Sequence, residues 1–325
     1  MPKILTTTTG IFPKIGGSAP SLRANLHKLD REEISVEELE SVLQANIKRA
    51  VEEQVEAGID LPTDGLIRWT DLFSPFVSAW DGLTRRGIHR FYNTNTLYGE
   101  PVIESELKYN PSKTLEDFKF ALNINPSVKA ALPGVFSFAA ACVDNFYKNA
   151  EKLREVIAAN LLKEAEALAQ AGAKVIEIHE PELAWNMEHG TRPSSAVADY
   201  GGQARNMDFY KQLGKLEAKV IVTSYFRNFS EETAKALVEA GCGVGIDFTQ
   251  PQEVHSLPEG AIVQAGVVDA RETKLEASED LQKLKGEIVE TFQNAAEIIF
   301  STSSHVEYLP HGKALEKIAL LKNLK

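Results

Sequence analysis

The sequence predicts an α/β fold, a (β/α)8 TIM barrel, on three observations. Short β-branched apolar runs alternate with amphipathic helical runs along the whole 325-residue chain, the pattern of parallel strands joined by helical crossovers. Three helical runs close on Ala57-Gly58, Ala171-Gly172 and Ala240-Gly241, and each leads into a strand that stops at ionisable residues. Glycine suits the left-handed position just past a helix end. Eight strand–helix units fit the length, the number that closes a barrel. No Gly-x-Gly-x-x-Gly turn follows the first strand, which disfavours a doubly wound dinucleotide-binding sheet.

In order, residues 3–9 form the first strand and stop at Gly10-Ile11-Phe12-Pro13-Lys14, before a loop with Gly16, Gly17 and Pro20. Ser35-Val36-Glu37-Glu38 is a capping box that opens a helix with Leu39, Leu43, Ile47, Val51 and Val55 at helical spacing. Further strands fall at 59–64, 128–132, 174–179, 219–223, 242–247, 262–268 and 298–302, with helices at 153–168, 230–240, 281–296 and after His311. Residues 71–126 read as an irregular excursion over the barrel top, with a hairpin around 101–107. No Pro-, Ser- or Gly-rich linker divides the chain, so 1–325 is expected to be one barrel domain.

A hydrophobic content of 43% and a charged content of 25% are those of a soluble globular protein. A net charge of −11 argues against a nucleic-acid partner, which needs clustered Lys and Arg. Cys142 and Cys242 make no disulfide framework and fit a reducing compartment. The opening residues lack the apolar core of a leader, and no window reaches the length of a membrane span. The expectation is a cytoplasmic protein with no membrane partner.

In this fold class the reactive end is the C-terminal rim of the strands. Rim candidates are Lys14, Asp64 and Arg68, Pro133 and Phe136, His179 and Glu180, Ser224 and Tyr225, Asp247, Asp269 and Arg271, and Ser303, Ser304 and His305 with Glu307. His179-Glu180 is the most concentrated pair, an imidazole beside a carboxylate at a half-buried rim; strand alternation sends one of the two inward and the other outward. A strand-end Asp most often caps the next turn, and what singles out Asp64, Asp247 and Asp269 is their convergence on one rim. Both cysteines read as small core residues. His179, His305 and Asp247 contain the donors for a set of two imidazoles and one carboxylate, but nothing in their spacing demands a metal. Arg85-Arg86 and Lys14 with Arg23 are basic spots on an acidic chain.

Several of these pieces resemble the cobalamin-independent methionine synthase family. Thr7-Thr8-Thr9-Gly10-Ile11-Phe12-Pro13-Lys14 is similar to that family's opening strand and turn, and residues 54–64 to its second helix end and strand. Leu132-Pro133-Gly134-Val135 and Ile178-His179-Glu180-Pro181-Glu182-Leu183 resemble two further segments, the latter with His179 where the family usually has Asp. The family's catalytic barrel binds zinc through a His-x-Cys at one strand tip, a Glu at the next and a Cys after the last. Here those tips read Ser224-Tyr225-Phe226, Asp247 and Ser303-Ser304-His305, without a thiolate. The resemblance is therefore to the zinc-free N-terminal barrel of the two-barrel enzyme, which contributes to binding the folate polyglutamate tail. It implies a component of methyl transfer to homocysteine in methionine biosynthesis, acting with a separately encoded zinc-bearing barrel. No cofactor or metal is expected in this chain itself. The methyl donor, folate or corrinoid, stays open. On this reading His179, Glu180, Asp247 and His305 are catalytic candidates, and Lys14, Asp64, Arg68, Ser224, Tyr225, Asp269, Arg271 and Ser304 substrate-binding candidates. The alternatives are a zinc-independent enzyme of the same superfamily, using the first four as acid–base groups, and a non-catalytic binding barrel.

Overall fold

The computed structural model describes residues 1–92, 94, 96–184 and 207–325. Its strands are β1 (Lys3–Thr6), β2 (Asp81–Arg90), β3 (Leu97–Lys108), β4 (Ala130–Pro133), β5 (Val143–Asp144), β6 (Val175–His179), β7 (Lys219–Thr223), β8 (Gly243–Asp247), β9 (Ile262–Val268) and β10 (Glu297–Thr302). Seven of them form one sheet in the order β1-β10-β9-β8-β7-β6-β4, and its pairings are parallel. The expected strand at 59–64 is reduced to two parallel bridges, Thr7 to Leu61 and Thr63 to Lys129. Those bridges join β1 to β4 and close the ring. Pro62 lacks the N–H that a longer ladder would need, which keeps this eighth member short.

The helices form where local chemistry starts and stops them. Helix Val36–Glu56 opens on the expected capping box: the Glu38 N–H donates to Ser35 Oγ at 3.2 Å, and the Ser35 N–H donates to Glu38 Oε2 at 2.7 Å. Gly58, Gly172 and Gly241, past three helix ends, have φ of +89°, +103° and +87°, the left-handed turn that glycine takes without steric cost. Helix Leu22–Asp30, capped by Ser21, lies where the sequence suggests only a loop. The helix expected at 281–296 runs instead over Ser278–Thr291. Cys142 is the C-cap of the short helix Val135–Ala141.

The excursion is more regular than expected. β2 and β3 form a long antiparallel hairpin, so the segment 101–107 lies inside one strand and is not itself a hairpin. β5 adds in parallel to β3, and helix Thr114–Ile124 completes the segment. β2 hides from sequence reading because most of its residues, from Thr84 to Gly87 especially, face solvent and show no apolar alternation. Asp71 anchors the hairpin: it pairs with Arg85 and accepts the Gly99 N–H at 3.1 Å. Arg86 pairs with Glu100 at 3.0 Å.

The barrel interior is layered. At its lower end Leu5, Leu61, Val175, Ile221, Ile262 and Ile299, drawn from five strands and the 59–64 segment, form an apolar cluster separate from the main core. One step along β6 alternation brings Glu177 inward, and there the filling turns polar. Lys129 Nζ meets Glu177 Oε2 at 2.6 Å with both side chains fully buried. Gln264 Nε2 donates to Glu177 Oε1 at 2.6 Å and to Thr9 Oγ1 at 3.0 Å. Burial pushes the Glu177 carboxyl up, but Lys129 and then His179 outweigh it and hold it well below the usual range.

Removing one partner strands the other as an uncompensated buried charge. Lys129→Met is expected to cost about 3–5 kcal/mol, and the double variant Lys129→Met/Glu177→Gln to recover most of that loss. Urea unfolding of both variants is the measurement; equal stabilities for the two would show that the pair does not hold the barrel interior.

Candidate functional site

Above the ion pair, three side chains from three strand ends close the barrel mouth. His179 ends β6, Tyr225 follows β7 and His305 follows β10. Ring centroids lie 5.5 Å apart for His179–His305, 5.8 Å for His179–Tyr225 and 4.9 Å for Tyr225–His305. Gly10 makes the packing possible: it has φ of +70°, and a Cβ there would stand 2.4 Å from the His305 ring. Phe91, at the tip of the β2–β3 hairpin, lies 6.4 Å from both Tyr225 and His305. The Tyr308 ring stacks on His305 at 5.5 Å. The hairpin tip is held down where Tyr92 Oη donates to Glu182 Oε2 at 2.9 Å.

This mouth is buried yet short of hydrogen bonds. Nδ1 and Nε2 of His179, Nε2 of His305, Oη of Tyr225 and Oγ of Ser304 have no hydrogen-bond partner among the described residues. His179 Nε2 stands 3.6 Å from Glu177 Oε2, beyond hydrogen-bond reach. Burial lowers the His305 pKa against the pull of Glu307, whose Oε1 lies 3.8 Å from Nδ1. Glu307 in turn pairs with Lys14 at 3.1 Å, so Lys14 is joined to the mouth through one carboxylate.

The other candidates separate into three places. Glu180 points away from the mouth to the start of helix Val135–Ala141, where its carboxylate accepts the N–H groups of Phe136 (3.0 Å) and Ser137 (2.6 Å), the Ser137 hydroxyl and the Tyr210 hydroxyl (2.8 Å). Gly134 leaves room for it, since a Cβ there would meet Glu180 Oε2 at 2.1 Å. Burial pushes the Glu180 pKa up to about 7 against those bonds. Asp247, Asp269 and Arg271 form a second rim cluster after β8 and β9. Arg271 Nε donates to Asp269 Oδ1 at 2.9 Å and Nη2 to Thr249 Oγ1 at 2.6 Å, while Asp247 Oδ2 lies 3.7 Å from Nη1. Burial raises the Asp247 pKa; Arg271 holds that of Asp269 down against its own burial. Asp64 and Arg68 lie in a third group. Arg68 grips Asp117 with two bonds of 2.7 and 2.8 Å and Glu40 with one of 2.7 Å. Asp64 caps the Leu66 N–H at 2.9 Å, and burial, then Asp117, push its pKa up to about 7. Ser224 Oγ is taken up by the Arg227 carbonyl at 2.9 Å.

Sequence reading missed Lys129, Glu177, Gln264 and Phe91. A signal for the first three existed: each is a lone long polar residue inside an apolar strand run, and Glu177 shares the parity of His179 on β6. Phe91 had none, because its place depends on where the hairpin folds.

Residues 83–293 match the family model described as cobalamin-independent synthase, N-terminal domain. The chain belongs to this family. Among curated relatives, the methionine synthase of Saccharolobus solfataricus is 28% identical over 185 residues, 56% of this chain and 54% of that protein. That of Sulfurisphaera tokodaii is 27% identical over 185 residues, 56% and 53% of the two. The chain thus spans about half the length of the curated relatives it matches. In fold it is similar to a B12-independent methionine synthase from Shewanella sp. W3-18-1 in complex with selenomethionine, with TM-score 0.77, 19% identity and 98% and 95% of the two chains covered. A putative vitamin-B12-independent methionine synthase from Listeria monocytogenes gives 0.74, 16%, 99% and 97%.

The family's zinc chemistry does not fit the rim of this cobalamin-independent synthase domain. Cys242 lies at the entry of β8, the end opposite the mouth, so its thiol cannot reach a site at the strand tips. Among the described residues no three His, Cys, Asp or Glu side chains converge to hold a metal, and no helix is long and apolar enough to cross a membrane.

Two outcomes test the site's energetics. Tyr225→Phe deletes a buried hydroxyl without a partner and is expected to stabilise the free protein by about 1 kcal/mol in urea unfolding; a loss of similar size would show the hydroxyl to be bonded. Glu180 has an ordinary pKa of 4.5 and a folded value of about 7, so between those values the folded state binds more protons than the unfolded. Stability therefore falls as pH rises through that window. Glu180→Gln is expected to reduce that slope by about half between about pH 5 and 7, because Asp64, raised from 3.8 to about 7, contributes a slope of at least equal size in the same direction. An unchanged slope would place the titration elsewhere.

Proposed function

We infer that the chain is the zinc-free part of a methionine-synthase-type methyl-transfer system. In this reading it supplies part of the methyl-donor site and works beside a separately encoded zinc-bearing barrel, in which homocysteine is activated. The observation that carries the reading is the chemistry of the mouth: buried imidazoles, a phenol and a seryl hydroxyl among aromatic rings, with no thiolate at any rim position. A homocysteine thiol, with a pKa above neutrality in water, needs a metal or a strong local positive field to be held as thiolate. At the rim, Lys14, Arg68 and Arg271 are engaged with Glu307, Asp117 and Asp269. Hydrogen-bonding groups set among aromatic rings suit instead the binding and orientation of a donor. The relatives named methionine synthases support the same assignment.

The test is reconstitution. A zinc-bearing barrel of the same family is assayed for methionine formation from homocysteine with 5-methyltetrahydrofolate or methylcobalamin, with and without this chain. The expected result is a faster rate or a lower KM for the donor when the chain is present, and loss of that gain in His305→Ala. No change in either parameter with either donor would sink the reading.

A further inference from the structure

The free polar atoms of the mouth point to a ligand of a definite class. His179, Tyr225 and Ser304 are wholly buried and His305 is 2% exposed, yet five of their side-chain nitrogen and oxygen atoms lack hydrogen-bond partners among the described residues. Native interiors leave few such atoms, and an isolated one is costly; this cluster sits at the end of the barrel where ligands bind. The charges around it cancel. Below, Lys129 balances Glu177, and behind His305, Lys14 balances Glu307. A charged ligand sealed in this place would lack a counter-charge, whereas an uncharged one needs none.

A route in is visible at Phe226. Its φ of +72° is a left-handed backbone conformation that a bulky residue holds only under strain. Its ring lies 4.9 Å from Tyr225 and 6.3 Å from Tyr308, on the mouth side. It also lines a cavity of about 410 Å3 beside the loops after β6, β7 and β8, where Arg227 and Glu253 bring one charge of each sign and Asn228, Gln250 and Pro251 complete the wall. That volume is in the range of small-molecule sites. Asn228 pins the cavity wall by donating to the Asp247 carbonyl at 2.8 Å and accepting the Asp247 N–H at 2.8 Å. Phe226 is thus a wall between an open cavity and a closed polar cluster.

We propose that the barrel mouth binds an uncharged, flat small molecule with amide-like donors and acceptors, which enters through the cavity as Phe226 turns aside and pairs with His179, Tyr225, Ser304 and His305. The aromatic rings of Phe91, Phe226 and Tyr308 select a flat shape. The paired charges select against carboxylates and amines. This assignment concerns the chain alone and does not rest on a partner barrel, so failed reconstitution leaves it standing.

The experiment uses three isosteric probes, benzamide, benzoate and benzamidine, titrated into the isotope-labelled full chain and followed by NMR. Benzamide is expected to bind with shifts at Tyr225 and His305, and both charged probes to bind roughly tenfold more weakly or not at all. Tyr225→Phe and Ser304→Ala, each checked for folding by its thermal transition, are each expected to weaken benzamide binding roughly 2- to 10-fold. Three results would overturn the proposal: charged probes that bind as well as benzamide, benzamide that fails to bind, and benzamide binding undiminished in both variants.

Discussion

The buried ion pair of Lys129 and Glu177 is the constraint around which the barrel interior is arranged. Two charges cannot be sealed in a protein interior unless each meets the other and the remaining lone pairs are bonded. The 2.6 Å contact meets the first condition, and Gln264, reaching from β9 to Glu177 and to Thr9, meets much of the second. The pair ties β6 to the segment at Lys129, where the ring is closed only by isolated bridges. It also sets the register of everything above it: with Glu177 facing inward on β6, His179 must face inward and Glu180 outward.

That parity separates the two halves of the His179-Glu180 pair. The imidazole enters the mouth, while the carboxylate turns to the amides that open helix Val135–Ala141. The carboxylate accepts from four donors, whereas the imidazole has no hydrogen-bond partner among the described residues. The hairpin then finishes the mouth. Its tip brings Phe91 over Tyr225 and His305, and its base is fixed by Asp71 to Arg85 and to the Gly99 amide. An element distant in sequence thereby roofs a site built from three strand ends.

Much of this was legible in the chain. Period and glycine placement showed the strand–helix alternation, because a helix end and a strand start are local events governed by backbone sterics. The rim position of His179, Tyr225, Ser304 and His305 followed from where apolar runs stop. The hairpin was not legible, since β2 is exposed and its pairing with β3 replaces apolar alternation as its stabilising interaction. Asp64, Arg68, Asp247, Asp269 and Arg271 share the rim in sequence terms but divide into two further clusters, because side-chain partners around a closed ring depend on strand stagger.

By itself the sequence determined the barrel class, the family resemblance and the absence of thiolates at the strand tips. Each of these is a property of residue identity and short-range order. The tertiary structure decided which polar groups are satisfied and which are not. Glu180 and Arg68 found partners across the fold, whereas His179, Tyr225, Ser304 and His305 were gathered with five of their side-chain polar atoms unpartnered among the described residues. Hydrogen-bond satisfaction in a buried place depends on neighbours far away in sequence, and only closing the barrel brings those neighbours together.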